Sequence, residues 1–420
     1  MSNKKQVVIG LFGFGVVGEG IYHVINSTPS LDARIKRVCI KNPLKERAAP
    51  AELFTTNYDD LLNDEEINLI VELIDDADEA YKIVTRAFQK GKPVVSANKK
   101  LIAENLLELI SLQEEHNVSF LYEAAVAGSI PIIRNLEEYF DNDLLQGVSG
   151  IINGSTNYIL TRLAEGLTYP EALLEAQQKG FAESNPALDV EGFDPINKLT
   201  ILLAHAYGII SKPTDHLRQG ITRLHTKDAA YAAEKGLKIK LVAHAQKLSN
   251  GKVAAFVLPR FVKAESQLFN VSNEYNGLIV ESKLADKQFF YGKGAGRYPT
   301  SSAVISDISA FSHHYQYEYK KLRRKERPAL THNFYLDVFV SFPAWTDVNK
   351  WDFEQVTEYH STAERQYIRG IIHAEKLREA TWFEDPSVSV IVQPDGVIEK
   401  EAIVAQSIKK VSLQLAGVGL

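Results

Sequence analysis

The sequence holds a single cysteine, Cys39, among its 420 residues. A lone cysteine excludes an intrachain disulfide framework. No apolar run is long enough to span a bilayer. There is no basic excess either: the formal net charge is −6, so nothing in the charge balance points to nucleic acid or an anionic lipid surface. The histidines show no metal-ligand spacing, and His313-His314 stands isolated. Zinc motifs and a serine nucleophile elbow are absent, as are internal repeats and low-complexity tracts. The start, Met1 to Gln6, is short and polar and lacks the apolar core and cleavage site of a secretion signal, so a cytoplasmic location is expected. The remaining composition, 45% hydrophobic and 24% charged, is that of an ordinary globular chain. Its length calls for two or three domains.

The first third reads as strands alternating with helices. Val7 to Phe12 is a buried strand, followed by a helical stretch to Ile25. Strands are expected at Ile35–Ile40, Leu69–Leu73, Pro93–Ser96 and Ser119–Tyr122, and helices at Glu79–Gln89 and Lys99–Glu115. That alternation predicts an α/β doubly wound parallel sheet, a Rossmann arrangement. From Leu144 the pattern changes to a longer strand, to Ile152, then helices near Ser155–Glu165, Pro170–Lys179 and Pro195–Tyr207. Leu237–Gln246, Val253–Val262 and Gly277–Ser282 supply further strand or helix material. The expected domains are 1–139 with 290–319, an inserted α+β domain at 140–289, and a small α+β module at 331–420. The charged run Lys320 to Arg327 reads as a solvated linker.

Gly13-Phe14-Gly15-Val16-Val17-Gly18 lies between a strand and a helix, as dinucleotide binding requires. Gly13 permits the tight turn, Gly15 lets backbone approach a pyrophosphate, and Gly18 lets helix and sheet pack closely. The helix N-terminus offers free N–H groups to phosphates. Where NAD-selective folds place an acid, after the second strand, stand Lys41 and Asn42 with Lys45 and Arg47 behind. A cation there suits the 2′-phosphate of NADP, although Lys41 also reads as an exposed loop residue. Lys99 stands at a strand–helix junction, where such sheets bind ligands, and reads otherwise as a surface helix residue. Glu123 precedes the small-residue turn Ala124 to Pro131, which can aim carbonyls at a hard cation or simply pack. The densest polar cluster runs from Gly180 to Lys198. In it Asp194 is expected to cap a helix with Pro195 at its first position, placing Lys198 one turn on. A capped helix with an exposed ion pair accounts for part of this, but poorly for so many acids beside an apolar helix.

Together these stretches resemble the homoserine dehydrogenases over about residues 7 to 313. The likeness rests on GFGVVG at 13–18, SANK at 96–99, EAAVAGSIPIIR at 123–134, GIINGSTNYIL at 150–160, GFAESNPALDVEGFDPINKL at 180–199, GLKIKL at 236–241 and YGKGAGRYPTSSAV at 291–304. The resemblance implies a Rossmann domain completed by the helix after the Gly-Ala-Gly turn, and a substrate-binding and dimerisation domain between. It also implies reduction of aspartate semialdehyde to homoserine, or the reverse, with NADP or NAD, in a homodimer or homotetramer. Lys198 resembles the proton carrier and Lys99 a residue at cofactor and substrate. Glu183 and Asp194, with Asp189 beside them, resemble substrate-binding acids. Phe14, Val16, Val17, Gly180 and Gly296 would line the dinucleotide. Glu123, with the carbonyls of Val126, Gly128 and Ile130, resembles a structural sodium site.

The chain departs from the family twice. Asp75-Asp76 replaces a frequent Gly-Gly pair beside the cofactor. After the strand Phe334–Val340, Ser341-Phe342-Pro343-Ala344-Trp345 replaces the Pro-Gly turn of an ACT regulatory domain, which makes 331–420 a degenerate ACT-like module. Two rival readings share the cofactor fold. A phosphorylating aldehyde dehydrogenase needs a thiolate, for which only Cys39 is present. A non-catalytic nucleotide sensor predicts binding without turnover.

Overall fold

The computed structural model describes residues 6–142, 144–400 and 403. The segment before Gln6 and most of the chain after Lys400, both part of the expectations above, lie outside the described residues. The first third contains β1 (Val7–Phe12), α1 (Val16–Ser27), β2 (Ala33–Cys39), β3 (Phe54–Thr55), α2 (Asp59–Leu62), β4 (Leu69–Glu72), α3 (Ala77–Gln89), β5 (Val94–Ser96), α4 (Lys99–Glu115) and β6 (Phe120–Leu121). The strands form one parallel sheet in the order β3-β2-β1-β4-β5-β6. This is the doubly wound dinucleotide-binding order, with its topological switch between β1 and β4. Every residue of β1, β4 and β5 is buried, which is why these strands read as unbroken apolar runs rather than alternations. α3 turns Ala80, Ile83, Val84 and Ala87 inward and is capped by the Asp76 carboxylate. The two-residue β3 is too short to show a period and was not anticipated.

The chain then leaves this sheet through α5 (Ile132–Arg134) and a π-helical turn, Asn135–Tyr139. It continues through β7 (Leu145–Ile151), α6 (Gly154–Ala164), α7 (Tyr169–Gln178), α8 (Ala187–Val190), α9 (Phe193–Tyr207), β8 (Leu217–Arg218), α10 (Thr226–Glu234), β9 (Lys238–Lys247), β10 (Val253–Val262), β11 (Tyr275–Ser282) and β12 (Asp286–Lys293). β12 is a largely polar edge strand with no wholly buried position, so its pattern gave little signal. It carries the second sheet to Lys293, past the boundary expected at 290.

α11 (Arg297–Ser312) returns to the first third and packs on α1. A Cβ on Gly20 would stand 2.5 Å from Ser301 Oγ, so the helices approach this closely only because Gly20 has no side chain. Arg297 pairs with Glu19 at 2.5 Å across the same contact.

The last part holds β13 (Tyr335–Phe342), β14 (Phe353–Ser361), β15 (Gln366–His373), α12 (Ala374–Glu379) and β16 (Ser389–Ile398). β16 lies beside both β10 and β13, so the second sheet runs on as β12-β11-β7-β9-β10-β16-β13-β15-β14. Between β13 and β14 stands a short 3₁₀ turn, Lys350–Asp352, and no α-helix. The charged run before this part is not wholly solvated, which corrects the linker expectation. Lys321 is buried, and its ammonium donates to Leu136 O at 2.5 Å and His205 O at 2.8 Å. His205 lies in the last turn of α9, whose free carbonyls and negative dipole end favour a cation.

Candidate active site

α9 begins two residues earlier than the sequence suggests. Gly192, at φ +82°, is its N-cap, and Pro195 falls within the first turn, where no intrahelical N–H bond is lost. Asp194 is therefore not the cap. Its carboxylate, 2% exposed, turns inward. One oxygen meets Lys198 Nζ at 2.7 Å, one helical turn on, and the other meets Lys99 Nζ at 2.6 Å. Lys99 is the first residue of α4, fixed by Asn98, whose Oδ1 accepts from Leu101 N at 3.0 Å. Lys198 also donates to Ile152 O at 2.8 Å, just beyond β7. The site thus forms where the first turns of α9 and α4 and the end of β7 converge.

Asn153 completes the cluster and was missed as a site residue. Its Oδ1 caps α6 by accepting from Thr156 N at 2.8 Å, while its Nδ2 donates to Asp194 at 2.8 Å and Asp189 at 2.6 Å. The signal available was an asparagine in N-cap position before an apolar helix. Lys99, Asp189, Asp194 and Lys198 are thereby joined. Glu183 is not: it stands exposed after α7, and its carboxylate makes no hydrogen bond or ion pair among the described residues.

The charges separate the two lysines. Burial opposes ionisation of Asp194, but Lys198 and Lys99 override it and hold the carboxyl well below the usual carboxylate range. For Lys198, burial lowers the pKa; Asp194 works against this and Lys99 with it. For half-buried Lys99, the Asp194 carboxylate raises the pKa against the cost of burial. Lys198 is thus the readier of the pair to release a proton.

At the switch point the glycine-rich turn has the shape a dinucleotide needs. Gly13 has φ +93°, and a Cβ there would stand 2.8 Å from Leu73 O. Gly15 faces open space as the N-cap of α1, with no side chain over the helix N–H groups, and Gly18 lies against Gly13 O. The donor set and the open cradle fit a pyrophosphate. Val16 is exposed and Val17 half-buried. The Phe14 ring is buried and packs edge-on against Tyr22 and Phe54, which leaves its backbone to face the cradle. Gly180, at φ +74°, and Gly296, at φ +114°, end α7 and lead α11, with open space at the first and only the Pro299 ring near the second. Lys41 is exposed after β2. Its loop is pinned by Arg47, which donates to Lys45 O and Asn42 O and lies over the Phe54 ring. Asp76 caps α3, which accounts for one of the two unusual acids; Asp75 is exposed.

Glu123 lies elsewhere, fully enclosed beneath α5. Its carboxylate accepts from Ile133 N at 2.8 Å and Arg134 N at 3.0 Å, so both oxygens are committed to a helix start. The carbonyls of Val126 and Gly128 carry no hydrogen bond among the described residues; that of Ile130 accepts from Ile132 N. Cys39 is buried, and burial with Asp60 pushes its thiol up to about 11, so it stays protonated and cannot serve the thiolate rival.

A switch-point cradle in a parallel six-stranded sheet, with a buried lysine–carboxylate cluster at the neighbouring helix start, defines a nicotinamide-dependent oxidoreductase. Residues 13–123 match the family model described as homoserine dehydrogenase, NAD binding domain, and residues 131–309 the one described as homoserine dehydrogenase. The homoserine dehydrogenase of Mycobacterium tuberculosis is 35% identical over 319 residues, covering 73% of this chain and 72% of that protein. That of Bacillus subtilis is 34% identical over 316 residues, covering 73% of each. Among solved structures, a homoserine dehydrogenase from Thiobacillus denitrificans superposes with TM-score 0.80 at 29% identity, covering 93% of this chain and 98% of that one. A hyperthermophilic archaeal homoserine dehydrogenase in complex with NADPH gives TM-score 0.64 at 25% identity, covering 74% and 99%. The chain belongs to the homoserine dehydrogenase family, NAD(P)-dependent oxidoreductases that interconvert aspartate semialdehyde and homoserine.

Proposed function

We propose that Lys198 is the proton carrier of this reaction and that Asp194, clamped between Lys198 and Lys99, sets its charge. The observation that carries this reading is the shared carboxylate, 2.7 Å from one ammonium and 2.6 Å from the other. When bound, the dinucleotide supplies or accepts the hydride. Lys198 takes the hydroxyl proton during oxidation and returns one to the aldehyde oxygen during reduction. Lys99, Asp189 and Asp194 orient the substrate, and Glu183 meets its ammonium from the exposed loop. Gly13, Gly15 and Gly18, the backbone at Phe14, Val16 and Val17, and Gly180 and Gly296 hold the dinucleotide. A structural sodium ion would use the main-chain carbonyls of Glu123, Val126, Gly128 and Ile130, with the Glu123 side chain outside its coordination set. We divide the chain into residues 1–139 with 294–319, 140–293, and 331–420, the middle boundary moved from 290 because β12 stays in the second sheet to Lys293, and assign it an assembly of two or four copies in the cytoplasm.

Spectrophotometric turnover of aspartate semialdehyde with each cofactor tests this reading; binding without turnover would favour the sensor instead. NADPH is expected to serve at least as well as NADH, because Lys41 stands where an acid would select against a 2′-phosphate. The comparison is kcat/KM for both cofactors, and a strong NADH preference unchanged in Lys41→Ala overturns it. Threonine is expected to inhibit weakly or not at all, because the β13–β14 connection lacks the helix on which an ACT site is built. Threonine titrated against initial rate at subsaturating substrate checks this; inhibition at micromolar levels contradicts it.

A further inference from the structure

Glu72 ends β4 at the switch point, is 0% exposed, and has no part in the chemistry above. A carboxyl so placed needs partners for both oxygens, and it has them on two different loops. Oε1 accepts from Ile74 N at 2.7 Å, in the turn after β4, and Oε2 accepts from Ser96 Oγ at 2.6 Å, at the end of β5. Ser96 Oγ in turn accepts from Asn98 N at 3.1 Å. Asn98 Nδ2 crosses back to Ile74 O at 3.0 Å, while its Oδ1 caps α4, whose first residue is Lys99.

We propose that Glu72 is a positioning residue for the reaction: in its ionised form it ties the β4 and β5 loops together through Ser96 and Asn98, and so holds Lys99 against Asp194. The proposal rests on the reading of Lys99 given above. Ionisation matters because both contacts donate to the carboxylate. Once protonated, one oxygen must itself donate, and the Ser96 hydroxyl must turn away to accept it. Burial raises the carboxyl to about 7; the Ser96 and Ile74 bonds oppose this and the Asp75 charge adds to it. β1 and β5 bring Phe12 and Ser96 alongside, and beyond the β5 end stand Lys99 and Asp194.

The test is the pH profile of kcat for aspartate semialdehyde reduction by the intact enzyme. In that direction Lys198 must be protonated and contributes only a basic limb, so an acid limb reports Glu72. The native enzyme is expected to lose kcat below about pH 7, whereas Glu72→Gln shows no acid limb and runs about tenfold slower throughout, with KM for the dinucleotide nearly unchanged. Ser96→Ala removes a bond that favours the ionised form, so its acid limb is expected to move to higher pH. This second variant keeps the test open if Glu72→Gln folds poorly. A native profile in Glu72→Gln, or an unmoved limb in Ser96→Ala, overturns the proposal. Lys99→Ala separates the two readings. If it is impaired beside a native-like Glu72→Gln, only the positioning role falls; native turnover in Lys99→Ala removes the role of Lys99 and this proposal with it.

Discussion

Lys198→Ala is expected to lower kcat by about 10²–10⁴-fold, the usual contribution of a positioned acid or base. Little else should change. The side chain leaves a helix whose other residues, Leu199, Leu202 and Leu203, remain buried. The Asp194 carboxylate keeps Lys99 and Asn153 as partners. Dinucleotide binding uses the turn at Gly13–Gly18, on a different element, and should persist. Lys198→Arg should fail as well, because a guanidinium stays protonated and cannot accept the proton. Steady-state kinetics with a fluorescence titration of the dinucleotide checks both variants. Near-normal turnover in either, at unchanged melting temperature, would move the proton chemistry to Lys99.

Asp194→Asn should damage both stability and turnover. The substitution leaves the Lys198 ammonium buried without its counter-charge, and breaking a buried pair from one side typically costs about 3–5 kcal/mol. Losing the carboxylate also removes what raises the pKa of Lys198, so the lysine falls further below its ordinary range and is less available as an acid for aldehyde reduction. The pH dependence has a definite sign. The folded-state pKa of Asp194 is depressed, so its stabilisation is present above the ordinary carboxylate range and is lost as pH falls toward the folded value. The native enzyme should therefore lose stability in acid more steeply than Asp194→Asn. Urea titrations of both proteins between neutral and acid pH decide this; parallel curves and equal midpoints would show that the carboxylate contributes nothing.

Much of the first third was legible because its signals are local. α4 occupies the span read from the sequence, Lys99–Glu115, because an asparagine cap precedes a long helix-forming run. β1 and the glycine turn fall where an apolar run meets Gly13. Elements without a strong local signal were lost: β3 has two residues, and β12 is a half-exposed edge. The continuation of the second sheet through β16 was not legible either, since β16 lies far along the chain from β10 and nothing near it in sequence names its neighbour.

From the residues alone came the doubly wound half, the family, the placement of Lys198 one turn after Asp194, and the exclusion of disulfide chemistry. Each depends on spacing within a few residues or on composition, which a linear sequence displays. The tertiary structure decided which way the side chains of that pattern face. It made Asp194 a clamp between two lysines rather than a helix cap, because Gly192 starts α9 earlier and α4 presents Lys99 from the other sheet. It turned Phe14 into the core, committed the Glu123 carboxylate to a helix start, and brought Asn153 and Glu72 in as the polar groups joining distant loops. The physical reason is that a buried polar atom must find its partner wherever packing brings one, and those partners belong to elements distant in sequence.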